Sequence, residues 1–274
     1  MIVTLVSPDG KTRVNLELNG VTEEIYEQIS ELLARELQRT RQTYIGLATA
    51  METAVRLCPD ANPADLWVHL IYHEFRNRFQ RSDQSWKRVS GQALEQVLIN
   101  IYSPRLEPSD IFLRKSVPAD ADRFGLRERG LGSAKTDLIL EGIHEKKLRH
   151  FGVIHVKASI AERLTDDAPA SVALIEQGYW SCVATMDAKM FPPPHGDGVV
   201  RGELGRTKGG DKRRYFEIAG QFTGCYSFNT RTPPSEEKTE SGRRIHSLSL
   251  SEPQPDVLVR DIAAFWEEFR KQLS

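Results

Sequence analysis

The fold can be worked out from Thr136-Asp137-Leu-Ile-Leu140 and, after a polar segment, Phe151-Gly-Val-Ile-His155-Val156-Lys157. The apolar runs 138–140 and 153–156 predict adjacent β-strands joined by the polar segment Gly142–His150. Asp137 precedes the first strand and Lys157 ends the second. A carboxylate and an amine at one end of a small sheet can hold a divalent metal ion and a hydrolytic water against a phosphodiester. The alternative is that both are solvated strand-edge charges of an unrelated α/β protein.

This layout resembles that of the PD-(D/E)xK nucleases, with Thr136 in place of the proline. His155 stands two residues before Lys157, where that family carries Asp or Glu. One branch of the restriction endonucleases, whose sites have a CCGG or CCNGG core, moves this acid to the following helix. The branch continues past its lysine as Lys-x-Ser-x-x-(Asp/Glu)-Arg. Residues 157–163, Lys-Ala-Ser-Ile-Ala-Glu-Arg, are similar to that pattern.

The resemblance implies that Glu162 and Arg163 read bases of the core. Their chemistry suits this, because a carboxylate accepts a hydrogen bond from cytosine N4 and a guanidinium donates two to guanine O6 and N7. Ser159 is expected to contact a phosphate or a base. Ala161 departs from the family, which often has an additional arginine before the acid-arginine pair.

If Glu162 reads a base, another acid must hold the metal ion. Asp166 and Asp167 precede Pro169, a pattern typical of a helix start, so they are expected to cap that helix. Asp187 lies beyond the next predicted strand, Tyr179–Ala184. Glu176, near the end of the helix and just before a glycine, is therefore the predicted metal-binding acid, although its distance from the lysine exceeds the family's usual spacing.

A fourth acidic residue, Glu95, borders the apolar face of a helix predicted over residues 90–102. A glycine followed one turn later by glutamate (Gly91, Glu95) resembles the N-terminal active-site helix of many restriction enzymes. A glutamate at such a border is more commonly a solvated side chain, and this alternative applies here if the strand assignment fails.

The resemblance implies an enzyme that cuts double-stranded DNA at a palindromic site with a CCGG core, before the first C, leaving 5′ overhangs. In that enzyme Asp137 and Glu176 would bind Mg²⁺, and Glu95 would complete the acidic cluster or bind a second ion. Lys157 would position the attacking water and help to deprotonate it. A palindromic site implies a homodimer at least on DNA. The base pairs that flank the core cannot be inferred.

Charge excludes a generally basic nucleic-acid coat protein, because 37 Lys and Arg stand against 38 Asp and Glu for a net charge of −1. Positive charge is local: residues 114–135 carry a net +3 and residues 201–214 a net +4. Such runs are most often solvated loops, but the second is expected to contact the DNA backbone through six residues: Arg201, Arg206, Lys208, Lys212, Arg213 and Arg214.

The three widely spaced cysteines favour reduced thiols in a cytoplasmic protein over a disulfide framework, and the resemblance implies that the cytoplasm is bacterial. No apolar run is long enough to span a membrane, and the first residues lack the features of a signal peptide. We therefore expect no membrane partner.

The whole chain is predicted to form a single α/β domain, 1–274, with a central mixed β-sheet flanked by helices. Residues 1–84 are expected to be mostly helical after an N-terminal hairpin, and 85–274 to form the catalytic and DNA-binding core, with the sheet between about 136 and 230. Helices are predicted from Thr22, over 42–57, from Asn62-Pro63 to about 81, and over 256–273.

Two rival functions fit the same residues. One is another PD-(D/E)xK nuclease, acting in DNA repair or junction resolution, for which Glu162 and Arg163 would have no base to read. The other is a non-catalytic DNA-binding protein on a degenerate nuclease fold, an interpretation favoured by the histidine at position 155.

Overall fold

The computed structural model describes residues 1–131, 136–160, 163–205, 210–251 and 256–273. Its N-terminal part is a two-stranded hairpin followed by helices, as predicted. The elements are β1 (Ile2–Val6), β2 (Arg13–Glu17), α1 (Glu23–Arg39), α2 (Thr43–Leu57), α3 (Pro63–Asp65), a π-helical stretch (Leu66–Tyr72), α4 (His73–Asn77) and α5 (Asp83–Leu106).

Side chains at the helix starts explain where these helices begin. The Thr22 hydroxyl accepts from the Ile25 backbone N–H at 3.2 Å, and the Asn62 side chain accepts from the Ala64 N–H at 3.1 Å, with Pro63 at the first helical position. Such caps satisfy donors that the helix leaves unpaired and contribute about 1 kcal/mol each. The predictions of helices at these positions are confirmed.

The remainder of the chain forms a six-stranded mixed sheet with helices on both faces. Its elements are β3 (Ile111–Lys115), α6 (Asp120–Arg123), β4 (Leu138–His144), β5 (Lys147–Lys157), α7 (Arg163–Glu176), β6 (Trp180–Thr185), α8 (Arg214–Glu217), β7 (Cys225–Ser227), β8 (Ile245–Ser247) and α9 (Val257–Lys271). The strand order is β3-β4-β5-β6-β7-β8, antiparallel as far as β5 and parallel from there on. The sheet extends past the predicted limits at both ends, since β3 and β8 lie outside 136–230.

The connection between β4 and β5 differs from the prediction. The segment 142–150 was expected to be a loop, but both strands run into it and only Glu145 and Lys146 form the turn. These two residues have φ of 49° and 63°, and positive φ at both central positions is what a type I′ hairpin requires. Asn and Gly usually supply that conformation, which is why the sequence gives little sign of a tight turn here.

Alternate residues of the central strands face different helices. Leu138, Leu140, Ile154 and Val156 share a hydrophobic core with α5 and α9. Their neighbours in sequence, such as Ile139 and Val153, pack against α7. This alternation follows from the period-2 geometry of a strand. It places α5 and α7 on opposite faces of the sheet.

One glycine is required by the packing of α9. A Cβ built on Gly142 would lie 2.4 Å from Trp266 of that helix, closer than van der Waals contact allows. The indole therefore packs directly on the backbone of β4, and Trp266 is fully buried.

The N-terminal helices share the main hydrophobic core with the sheet, and this core includes residues from Val3 to Trp266. Polar contacts also connect the two parts: Arg231 forms a bidentate pair with Asp65 at 2.7 Å, and the Asn62 side-chain amide donates to Asn229 at 2.9 Å. The predicted single domain stays a prediction. Among the described residues, no helix combines the length and the apolar character needed to cross a membrane.

Candidate active site

One edge of the sheet gathers charged residues from three strands. β5 ends there at Lys157, β4 begins there directly after Asp137, and β3 ends there at Lys115. The register aligns these ends, since Leu138 pairs with Ile154 of β5 and with Lys115 of β3. Strand direction and register therefore determine which side chains meet at this edge.

Asp137 and Lys157 are in direct contact. The Asp137 Oδ2 accepts hydrogen bonds from Lys157 Nζ at 2.9 Å and from the Val156 backbone N–H at 2.7 Å. The backbone contact fixes the carboxylate at the end of the strand. The two residues singled out in the sequence are thus brought together by the hairpin.

A second carboxylate completes the surroundings of Lys157. The Lys157 Nζ lies 2.7 Å from Asp167 Oδ2, and its side chain is only 6% exposed. Burial alone would lower the pKa of Lys157, but Asp137 and Asp167 together raise it above its usual value. Conversely, burial would raise the pKa of Asp167, but His155 and Lys157 hold it below its usual value. Lys157 is a cation between two anions.

The prediction that Asp167 caps a helix is wrong. Helix α7 begins at Arg163, so Asp166 and Asp167 lie inside it and Pro169 is an interior residue. Within the helix Asp166 is exposed, whereas Asp167 is turned towards the sheet and buried. The start of this helix is predicted too late in the sequence because of Pro169, since proline is typical of a first helical turn.

The structure does not bring Glu176 to this cluster. Glu176 is the last residue of α7, with its side chain 59% exposed and paired with Arg129 at 2.7 Å. Nine residues separate it from Asp167, which corresponds to about 13 Å along the helix axis. The expectation that Glu176 lies beside Lys157 is therefore corrected, and Asp167 takes that place.

Glu95 approaches the cluster from the other face of the sheet, on α5. Burial raises the pKa of Glu95 to about 7, and the nearby Asp137 carboxylate adds to this, while Lys115 and Lys157 act against it. The Lys115 Nζ lies 3.9 Å from Glu95 Oε2. A half-buried acid whose pKa is raised beside other charges is typical of a functional site.

His155 is fully buried beneath the carboxylates. Its Nδ1 lies 3.5 Å from Asp167 Oδ2 and its Nε2 lies 3.2 Å from the Ser181 hydroxyl. Ligand atoms of Asp137, His155 and Asp167 all lie within 4.8 Å of one another. The carboxylate oxygens suit a hard ion such as Mg²⁺, whereas imidazole suits transition metals. Asp137 and Asp167 thus fit Mg²⁺, and His155 is better placed to orient Asp167.

Known proteins are similar to this chain over most of its length. The family described as BsaWI restriction endonuclease type 2 matches residues 117–253, which include Asp137, Lys157 and Asp167. The Type II restriction enzyme AgeI of Thalassovita gelatinovora is 40% identical over 265 residues, which cover 90% of this chain and 94% of the relative. The chain belongs to the Type II restriction endonucleases.

The fold of this restriction endonuclease is also similar to that of a solved structure. The crystal structure of a specific AgeI-DNA complex superposes with a TM-score of 0.90 at 36% identity, covering 97% of this chain and 99% of the other. The predicted restriction-endonuclease fold, a mixed sheet between helices with a mostly helical N-terminal region, is confirmed.

The segment expected to read bases is described only in part. Glu162 lies outside the described residues, and Arg163 begins α7. The Ser159 hydroxyl donates to Glu203 Oε2 at 2.8 Å, a contact that the sequence does not predict. The backbone N–H of Glu203 in turn donates to the buried Asp187 at 2.6 Å. In this restriction endonuclease, Ser159 is thus connected to the loop that follows β6.

The side chains expected to contact the DNA backbone differ in accessibility. Arg206 and Lys208 lie outside the described residues, Arg201 is exposed and paired with Asp197 at 2.6 Å, Lys212 is half-buried and Arg214 is exposed.

Arg213 does not fit its predicted role. It is 1% exposed and donates to the Pro233 carbonyl at 2.8 Å and to Glu217 at 3.1 Å. A guanidinium enclosed in this way stabilises the loop and is not available to a phosphate. The prediction for Arg213 is corrected, because residue type alone does not reveal a buried ion pair.

Two residues of the site were missed in the sequence. Asp167 carries a weak signal, since an acid ten residues after the lysine stands on the expected helix. Lys115 carries none of its own, because it reaches the site only through the pairing of β3 with β4.

Proposed function

We propose that this restriction endonuclease hydrolyses double-stranded DNA at a palindromic site with a CCGG core, using Mg²⁺. The observation that carries the proposal is the position of Lys157 Nζ, 2.9 Å from Asp137 and 2.7 Å from Asp167 at one sheet edge. This arrangement places a cation, Lys157, and two possible metal ligands, Asp137 and Asp167, close enough together to act on one phosphodiester.

Asp137 and Asp167 would hold the metal ion, with Glu95 completing the set of oxygen donors. Bound there, Mg²⁺ would supply Lewis acidity that stabilises negative charge on the phosphate and lowers the pKa of water. His155 would keep the Asp167 carboxylate oriented through its Nδ1 while the Ser181 hydroxyl contacts its Nε2. Such supporting contacts are what fix ligand geometry in metal sites.

Lys157 would act as a hydrogen-bond donor. Its ammonium group, 2.9 Å from Asp137 and 2.7 Å from Asp167, would orient the attacking water and stabilise a phosphate oxygen. The expectation that Lys157 also helps to deprotonate the water stays a prediction. The water oxygen would attack phosphorus in line as the bond to O3′ breaks, leaving a 5′-phosphate and a 3′-hydroxyl.

Base reading would come from Glu162 and Arg163. Glu162 would accept from a cytosine amino group and Arg163 would donate to a guanine. Since α7 begins at Arg163 and also carries Asp167, one helix would connect the readout with the metal site. Cleavage before the first C of the core would leave 5′ overhangs, as in the CCGG branch.

DNA is the proposed partner, because a solved structure that is similar to this chain over nearly its whole length is a DNA complex of AgeI. A palindromic site requires two active sites related by a two-fold axis, and hence a homodimer at least on DNA. The three cysteines are buried free thiols, which accords with the reducing bacterial cytoplasm as the place of action.

Plasmid digestion with Mg²⁺, followed by sequencing of the ends, tests the proposal. We expect discrete fragments whose ends all fall at one sequence containing CCGG, and no cutting by the variant Lys157→Met. Nicks that depend on DNA structure and not on sequence would favour a repair or junction nuclease. DNA that is bound but uncut would favour the non-catalytic alternative.

A further inference from the structure

A second lysine stands at the edge of the sheet that carries the proposed active site. Lys115 is the last residue of β3 and pairs with Leu138, the residue that follows Asp137. The next backbone N–H, that of Ser116, donates to the Asp137 carbonyl at 3.0 Å. Residues directly opposite one another in a sheet share a face, so Lys115 lies on the α5 face, as Glu95 does.

Two side chains hold the Lys115 ammonium group in place. The Nζ lies 4.0 Å from the centroid of the Tyr44 ring and 3.9 Å from Glu95 Oε2. A cation over an aromatic face is attracted by the ring quadrupole. The distance to Glu95 exceeds that of a direct hydrogen bond. The group is therefore positioned by its neighbours without its N–H donors being used.

The two lysines at this edge of the sheet differ in exposure and in how many of their N–H donors are already used. Lys157 is 6% exposed and contacts two carboxylates within 3 Å. Lys115 is 31% exposed, and in the part of the chain that the structure describes its Nζ donates no hydrogen bond. Of these two cations, Lys115 is the one that can accept a new anionic partner without giving up an existing contact.

We propose that Lys115 binds a non-bridging oxygen of the phosphodiester that is cut, from the side of the sheet opposite to α7. This rests on the proposed nuclease function. Lys157 and Lys115 would then bracket the phosphate, with Asp137 between their strands. The Tyr44 ring would keep the ammonium group aimed at the edge, and Glu95 would keep it near the acidic cluster. Lys115 lies within the basic run 114–135, whose charge the sequence suggests is mostly solvated.

The variants Lys115→Met and Lys115→Cys remove the charge in two ways. The three native thiols are buried, so 2-bromoethylamine can alkylate the thiol introduced by K115C and restore an ammonium group at nearly the original reach. Lys147→Met is the matched control, because Lys147 is exposed at the opposite end of β5. Thermal unfolding verifies that each variant folds.

We expect K115M and K115C to lower the single-turnover rate of Mg²⁺-dependent cleavage by on the order of 100-fold, as for loss of one preorganised donor to the transition state. Aminoethylation should raise the single-turnover rate of K115C by at least about tenfold. In Ca²⁺, the slope of log affinity against log salt should fall by about one per active site for K115M. K147M should match the wild type in rate, and its slope should not change.

Three results would overturn the inference: wild-type cleavage by a folded K115M, no recovery on aminoethylation, or an unchanged salt slope. These are distinct from failure of the proposed function, in which the wild type itself would leave the plasmid uncut and both proposals would fall together.

Discussion

Replacing Asp167 with asparagine tests the corrected position of the metal-binding acid. Asp167 is 8% exposed and lies 2.7 Å from Lys157 Nζ, and the amide keeps its size while removing the negative charge. A metal ion held by one carboxylate fewer loses part of its effect on the phosphate. If that part is about 4 kcal/mol of transition-state stabilisation, the rate falls about 1000-fold, since each 1.4 kcal/mol is a factor of ten.

The fold should tolerate this change. Lys157 keeps its contact with Asp137, so the buried cation is not left alone, and the loss of unfolding free energy should stay below the roughly 3–5 kcal/mol that follows when a buried charge loses its sole partner. Glu176→Gln and Asp166→Asn are matched controls on the same helix. Glu176 and Arg129 are both well exposed, and such pairs contribute about 0–1 kcal/mol.

The assay is single-turnover cleavage, with enzyme in excess over a duplex that carries the mapped site, beside thermal unfolding of each variant. We expect D167N to be almost inactive and both controls to cut within about twofold of the wild-type rate. The reasoning is refuted if D167N cuts within tenfold of the wild type while E176Q is inactive, because Glu176 would then be the displaced acid after all.

Three further predictions concern stability and specificity. Burial raises the pKa of Asp187 to about 6. The stabilisation that the protonated Asp187 gives the folded state is therefore present below about pH 4 and is lost as pH rises through 6. Asp187→Asn should flatten this pH dependence of the unfolding free energy in denaturant titrations, and the same pH dependence in the variant and the wild type would contradict the prediction. Arg163→Ala should weaken binding to a CCGG duplex by about 1–3 kcal/mol per base pair contacted, and a dimer should lose this amount in each of its two subunits. Weak, salt-sensitive binding to other DNA should persist. An unchanged preference for the site would show that Arg163 does not read a base. Arg213→Ala should destabilise the fold by about 3 kcal/mol and Arg214→Ala by under about 0.5 kcal/mol, and equal melting temperatures would show that Arg213 is not structural.

Local signals were enough for much of the fold. Apolar runs with a charge at each edge predict β4 and β5 and place Asp137 and Lys157 together, because a hairpin aligns their ends. Capping residues such as Thr22 and Asp256 mark helix starts, and Asp256 does accept from the Val259 N–H at 3.0 Å. These features depend on contacts within a few residues.

The elements that were missed depend on distant partners. β8 has only three residues, and a strand that short is stabilised by its neighbour, with little help from its own sequence. The assignment of Asp167 required the true start of α7, which a proline six residues into the helix disguises. Lys115 joins the site through strand register, and Arg213 is removed from the surface by Glu217 and Pro233. None of these outcomes follows from residue type.

The claim that Asp137 and Asp167 hold the metal ion beside the cut phosphate is tested most directly by anomalous diffraction. The protein would be crystallised with a CCGG-containing duplex and Mn²⁺, using Lys157→Met to prevent cleavage. We expect an anomalous peak within coordination distance of one oxygen of Asp137 and one of Asp167, adjacent to the phosphate before the first C. A peak held by Glu176, or none at this edge of the sheet in crystals that contain the duplex, would contradict the account.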